Sequence, residues 1–155
     1  MTEQADPADN TLVLVVDDEP VVRDMLNATL TRAGYRVILA SDGQTAIAAL
    51  GTATPDLILT DVFMPNCDGI ELLRSGRLRR AGTPVIAMSG GYAGLDMLDA
   101  TAALGAVATI NKPFRPGELL DLMRTLCGSG SGSGRQRPSD AAAPGHRVLN
   151  AGANV

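Results

Sequence analysis

The chain has 155 residues, of which 45% are apolar, and this suits one domain with an ordinary hydrophobic core and a tail. A net charge of -4 leaves no basic footprint for nucleic acid, and 3% aromatic residues without Trp argue against base-stacking surfaces and aromatic cages. The apolar runs are too short to cross a bilayer and the polar, acidic start does not resemble a secretory signal, so we expect a cytoplasmic protein. Cys67 and Cys127 lie far apart without zinc-ligand spacing, which favours two reduced thiols.

Short apolar runs alternate with amphipathic segments along most of the chain. Runs rich in β-branched residues, such as LVLVV, predict strands buried on both faces, and apolar residues at helical spacing predict the helices between them. Pro20 suits the first turn of the first helix, and Ser41 with Asp42 offers an N-cap for the second. In chain order we predict a strand at 12–16, a helix at 20–33, a strand at 36–40, a helix at 43–50, a strand at 57–60, a helix near 70–78, a strand at 85–88, a helix at 95–104, a strand at 107–110 and a helix at 116–126.

Five strand–helix units in succession predict the fold class. Buried strands that alternate with amphipathic helices are typical of an α/β protein with a parallel sheet covered on both faces. Right-handed crossovers then favour a doubly wound, flavodoxin-like (βα)5 sheet with strand order 2-1-3-4-5. We therefore divide the chain into a polar leader at 1–10, one folded domain at 11–127, and a Gly/Ser linker with a disordered tail at 128–155, which is too short for a second folded domain.

Polar residues stand at the carboxyl ends of four of the five predicted strands. Asp17 and Asp18 follow the first strand, Asp61 ends the third, Ser89 follows the fourth, and Lys112 follows the fifth. In a parallel α/β sheet these ends share one edge, and ligands bind there. Lys112 is also the only lysine among thirteen basic residues, which suggests a site that needs a compact ammonium rather than a planar guanidinium.

The carboxylates at this edge predict a divalent metal site. Asp17, Asp18 and Asp61 would repel one another at close range, and a bound cation removes that repulsion. Carboxylates with a backbone carbonyl and water suit Mg²⁺, which also neutralises a phosphoryl group during its transfer. We assign Asp17 and Asp18 to the metal, with Asp18 as the more direct ligand, together with Asp61 and the backbone carbonyl of Phe63.

The same edge predicts a phosphoryl acceptor. Asp61 is the candidate nucleophile that forms an acyl phosphate, Lys112 pairs with one phosphoryl oxygen, and Ser89 donates its hydroxyl to another. Each residue alone has a simpler explanation, since acidic residues are common at helix starts and Ser and Asp are common in turns. Their occurrence together at four strand ends of one sheet favours the site.

These motifs resemble the receiver domain of two-component response regulators, over about residues 11–127. VVDDEP resembles the family's acidic pair, TDVFMPNCDG its acceptor motif, and NKPF its Lys-Pro-Phe motif, while Ser89 falls where the family has Ser or Thr. The resemblance implies Mg²⁺-dependent phosphotransfer from a phosphohistidine on a sensor histidine kinase or a histidine phosphotransfer protein to Asp61. It also implies a cis Lys112–Pro113 bond and a switch face made by the fourth helix, the fifth strand and the fifth helix.

The chain departs from the family pattern at a few positions. Thr109 stands three residues before the lysine, where the family usually has an aromatic residue, and Gly90 and Gly91 follow Ser89. Phe63 and Gly91 occupy the two variable positions that flank the phosphoryl group in the family. Because neither side chain can orient an attacking water, we expect slow loss of the phosphoryl group, with a half-life longer than seconds.

Two alternatives come from other functional classes. One is an interaction module that keeps the fold but acts without phosphorylation, which Thr109 and the missing effector domain motivate. The other is an aspartate-nucleophile phosphatase of the haloacid dehalogenase type, whose nucleophile lies in an Asp-x-Asp pair. Here Phe63 stands two residues beyond Asp61, so we expect a signalling domain and not a turnover enzyme.

Overall fold

The computed structural model describes residues 10–62, 69–75, 82–90, 105–128 and 147–148. In chain order the elements are β1 Leu12–Val16, α1 Pro20–Arg32, β2 Arg36–Ala40, α2 Gly43–Leu50, β3 Leu57–Asp61, α3 Gly69–Arg74, β4 Val85–Ser89, β5 Ala108–Asn111, α4 Pro116–Gly128 and β6 Arg147–Val148. The apolar runs of the sequence therefore form the strands, and the amphipathic segments form the helices.

The strands form one sheet in the order β2-β1-β3-β4-β5-β6 with every pair parallel. The predicted order 2-1-3-4-5 is confirmed. The sheet register aligns the carboxyl ends of the strands, because Val16 lies beside both Ala40 and Thr60, and Asp61 lies beside Met88. The loops that follow these ends consequently meet at one edge of the sheet.

Alternate residues of the strands face two different layers of the core. Val13 and Val15 belong to a cluster that includes residues of α1 and α4, whereas Leu14 and Val16 belong to a cluster that includes residues of α2 and α3. Successive side chains of a strand point to opposite faces, so a strand of continuous apolar residues is buried on both sides. This layering confirms the doubly wound arrangement.

The helix ends follow the local sequence. Pro20 begins α1 behind Glu19, whose side chain makes no capping hydrogen bond. Gly34, with φ of 94°, takes the left-handed conformation after the helix. Helix α2 starts differently, because the side chain of Asp42 accepts a hydrogen bond from the backbone N–H of Thr45.

Parts of the predicted architecture lie outside the described residues. The helix predicted at 95–104 falls there, as do residues 76–78 of the helix predicted near 70–78. Strand β6 was not predicted, because it lies in the segment that was expected to be a disordered tail. Disorder in the rest of residues 128–155 stays a prediction. Among the described helices, none combines the length and apolar character that a membrane crossing requires.

Candidate functional site

Backbone hydrogen bonds continue the sheet into the loops that carry the predicted site. The N–H of Asp17 donates to the carbonyl of Ala40 at 3.2 Å, and the N–H of Lys112 donates to the carbonyl of Ser89 at 2.6 Å. The N–H of Val62, directly after Asp61, donates to the strand β4 carbonyl beside it at 2.9 Å. These loops are thereby held in register with the strands, and side chains from β1, β3 and β5 are brought together.

Lys112 joins two carboxylates that come from different strands. Its Nζ lies 2.5 Å from Oδ2 of Asp17 and 3.0 Å from Oδ2 of Asp61. Asp17 is fully buried and Asp61 nearly so, while the lysine is half-buried. Burial alone lowers the pKa of Lys112, but the hydrogen bonds and charges of the two carboxylates outweigh it, so the pKa lies above its ordinary value. The ammonium is therefore charged at neutral pH.

Asp17 has hydrogen bonds on each of its polar groups. Its Oδ1 accepts from the N–H of Glu19 at 2.9 Å, Oδ2 accepts from Lys112, and the backbone carbonyl accepts from Nη1 of Arg23 at 2.7 Å. A buried carboxylate needs such partners, because an unpaired buried charge is strongly destabilising. Asp17 thus fixes the shape of the β1–α1 loop as well as adding charge to it.

Three carboxylates of that loop lie close enough to share a cation. The carboxylate oxygens of Asp17, Asp18 and Glu19 are within 4.8 Å of one another, and their burial falls from Asp17, which is buried, to Glu19, which is exposed. A set of hard oxygen donors beside open solvent fits Mg²⁺, which keeps several waters and takes few protein ligands. Glu19, which was not predicted as a ligand, lies in one cluster with the predicted ligands Asp17 and Asp18. Its place directly after the acidic pair is the sequence signal for it.

Ser89 and Phe63 are the remaining predicted site residues. Ser89 is buried at the end of β4, where its carbonyl meets Lys112. Phe63, proposed as a carbonyl ligand, lies outside the described residues. The predicted cis Lys112–Pro113 bond is present.

Arg23 also lies at the site, although it was not predicted as a site residue. Its half-buried side chain turns back from α1 to the acidic loop. A basic residue one helical turn beyond an acidic strand end was the available clue.

Comparison with known proteins places these features in a family. The family model described as "Response regulator receiver domain" matches residues 13–124. Sporulation initiation phosphotransferase F of Bacillus subtilis is 34% identical over 115 residues, which cover 74% of this chain and 92% of that protein. The alkaline phosphatase synthesis transcriptional regulatory protein PhoP of B. subtilis is 34% identical over 141 residues, which cover 91% of this chain and 55% of that protein. The chain thus spans about half the length of such transcriptional regulators.

Solved structures show the same fold. The chemotaxis response regulator CheY4 of Vibrio cholerae has a TM-score of 0.69 and 33% identity, covering 75% of this chain and 98% of that one. The receiver domain of sensor histidine kinase PA1611 from Pseudomonas aeruginosa, solved with a magnesium ion in its active site cleft, has a TM-score of 0.68 and 28% identity, covering 77% of this chain and 98% of that one.

Proposed function

Since this chain belongs to the family of response regulator receiver domains of two-component systems, we propose that Asp61 is its phosphoryl acceptor and Lys112 the cation that serves the acceptor. The observation that carries this proposal is the contact of Lys112 Nζ with the carboxylates of Asp61 and Asp17. It puts the only lysine of the chain beside the one carboxylate that ends a central strand.

The transfer step uses Asp61 as the nucleophile. A carboxylate oxygen of Asp61 attacks the phosphorus of a phosphohistidine, the new P–O bond forms as the P–N bond breaks, and the electron pair of that bond leaves with the imidazole nitrogen. The product is an acyl phosphate on Asp61. Lys112 then pairs with a phosphoryl oxygen, and the Ser89 hydroxyl donates to another.

The acidic loop holds the metal that this transfer needs. Asp17, Asp18 and Glu19 offer hard oxygen donors, and Asp61 with the Phe63 carbonyl completes the proposed set. When bound, Mg²⁺ neutralises charge on the transferring group. Asp18 is the more direct ligand, because the oxygens of Asp17 already accept hydrogen bonds from Glu19 and Lys112.

The partners follow from the chemistry. The donor is a phosphohistidine on a sensor histidine kinase or a histidine phosphotransfer protein, and the receiver of the signal is a protein bound at the face formed by the predicted fourth helix, β5 and α4. We place the protein in the cytoplasm, where such donors and Mg²⁺ occur together. The net charge of -4 supports a protein target rather than direct contact with nucleic acid.

The test is labelling by a small phosphodonor. Phosphoramidate with Mg²⁺ should convert the wild-type chain to a species retarded in a phosphate-affinity gel, and EDTA should prevent it. Asp61→Asn should give no retarded species, whereas Asp121→Asn, which changes an exposed carboxylate of α4, should behave as wild type. Equal labelling of Asp61→Asn and wild type would overturn the assignment.

A further inference from the structure

Arg23 ties the first turn of α1 to the acidic loop through its side chain, in addition to the ordinary helical hydrogen bond of its backbone. Its guanidinium Nη1 donates to the backbone carbonyl of Asp17 at 2.7 Å, and its own backbone N–H donates to the carbonyl of Glu19 at 3.0 Å. The two bonds reach the first and the last residue of the loop that carries the three clustered carboxylates. Arg23 therefore spans the whole loop from the helix side.

The loop has little else to hold it. It is three residues long and carries three like charges, which repel one another. The helix behind it has Pro20 in its first turn, but it has no side-chain cap and no acidic residue there. Among the described residues, the loop is shaped by the Asp17 side chain with its partner Lys112, by the backbone of β2 and by Arg23.

The chemistry of arginine suits this task. A guanidinium is a rigid planar donor that loses little freedom for each hydrogen bond it makes, whereas a lysine ammonium is a flexible point charge. The side chain is half-buried, which restricts it further. The guanidinium of Arg23 donates to a backbone carbonyl and not to a carboxylate. Its effect on the carboxylates therefore depends on the conformation in which it holds the loop.

We propose that Arg23 is a positioning residue that holds the Asp17–Glu19 loop in the conformation that binds a divalent cation. It acts through the Asp17 carbonyl and does not contact the phosphoryl group. This inference rests on the metal site of the proposed function, but it concerns cation affinity and not the identity of the phosphoryl acceptor.

A charge effect and a positioning effect of Arg23 predict opposite changes in Mg²⁺ affinity when the side chain is replaced, so the two can be distinguished. Removal of a cation beside three carboxylates should strengthen Mg²⁺ binding if Arg23 acts only through its charge. Loss of a group that orients metal ligands weakens binding instead, by about 10-fold or more in known metal sites. Arg23→Met removes both the charge and the hydrogen bond while keeping a long apolar stem.

The experiment measures Mg²⁺ affinity of the unphosphorylated full chain by isothermal titration calorimetry. We expect Arg23→Met to bind Mg²⁺ about 10-fold more weakly than wild type, and Arg23→Lys, which keeps a donor and a charge, to fall between them. Arg32→Met is the matched control, since it removes an arginine from the last turn of the same helix, and its affinity should equal that of wild type.

A second readout separates positioning from a general loss of structure. With phosphoramidate, Arg23→Met should need more Mg²⁺ for half-maximal phosphorylation but reach a rate near that of wild type at saturating Mg²⁺. A lowered maximal rate with unchanged Mg²⁺ affinity, or affinity equal to or tighter than wild type in Arg23→Met, overturns the inference. Should Asp61 not be phosphorylated in wild type, the calorimetric comparison still decides the role of Arg23, so the two proposals fail separately.

Discussion

Lys112 bridges the carboxylates of Asp17 and Asp61, which lie at the ends of two neighbouring strands. Without it, two buried carboxylates would face each other with no cation between them. Lys112→Met should therefore destabilise the domain, by about 3–5 kcal/mol, the range for removing one partner of a buried ion pair. The loss should be larger in EDTA than in Mg²⁺, because a bound cation restores part of the missing positive charge.

Urea unfolding with and without Mg²⁺ measures this change. Arg124→Met is a suitable control, since its pair with Asp121 is exposed on α4 and should contribute little. A Lys112→Met variant as stable as wild type in EDTA would show that the bridge does not hold the site together.

The titration of Lys112 gives a pH dependence at the same residue. Its pKa in the folded chain lies above the ordinary value of 10.5 because the hydrogen bonds and charges of Asp17 and Asp61 outweigh the effect of burial. A raised pKa in the folded state means that the stabilising contribution is fully present below 10.5 and is lost as pH rises through the folded pKa. The difference in unfolding free energy between wild type and Lys112→Met should thus stay constant from neutral pH to about pH 10 and shrink above it. A difference that grows with rising pH would contradict this assignment.

Helix α2 begins with a side-chain cap, which Asp42 provides. The carboxylate of Asp42 accepts from the N–H and the hydroxyl of Thr45, at 2.7 and 2.8 Å. These hydrogen bonds, the backbone bond most strongly, lower the pKa of Asp42 in the folded chain. The contribution of the Asp42 carboxylate to folding stability is therefore present above the unfolded pKa and is lost as pH falls through the lower folded pKa.

Asp42→Ala should lower the thermal midpoint at pH 7, and Asp42→Asn, which keeps an accepting oxygen, should lower it less. At an acidic pH below the lowered folded pKa of Asp42, both variants should approach wild type, because the wild-type carboxylate is protonated there. Differential scanning calorimetry at the two pH values gives the comparison. Equal midpoints for Asp42→Ala and wild type at pH 7 would show that the cap does not stabilise α2.

Elements made from strongly patterned sequence were predictable, and those that depend on long-range contacts were not. The LVLVV run and the other apolar runs gave strands within one residue of those observed, because a strand buried on both faces needs continuous apolar residues. The convergence of Asp17, Asp61 and Lys112 was predictable too, because parallel strands bring their carboxyl ends to one edge of the sheet. Arg23 and β6 were not, because a side chain that turns back to a carbonyl and a two-residue strand leave no periodic pattern.

At the scale of the whole molecule, β6 covers the outer edge of the sheet. Arg147 pairs with Ala108 and Val148 pairs with Thr109, so β5 is an inner strand along that stretch. An uncovered edge strand exposes backbone groups to water. A chain that ends at Gly128 should therefore show faster amide hydrogen exchange in β5, while β1 and β3, which lie inside the sheet, should be unchanged. Identical exchange in β5 of the two chains would show that β6 does not protect this edge.

The proposed function depends above all on Asp61 being the residue that accepts the phosphoryl group. An acyl phosphate on an aspartate is reduced by sodium borohydride to homoserine, and tandem mass spectrometry then locates the altered residue. After treatment with phosphoramidate and Mg²⁺, we expect homoserine at position 61 in wild type and at no position when EDTA replaces Mg²⁺. Homoserine at Asp17, Asp18 or another carboxylate instead of Asp61 would contradict the account.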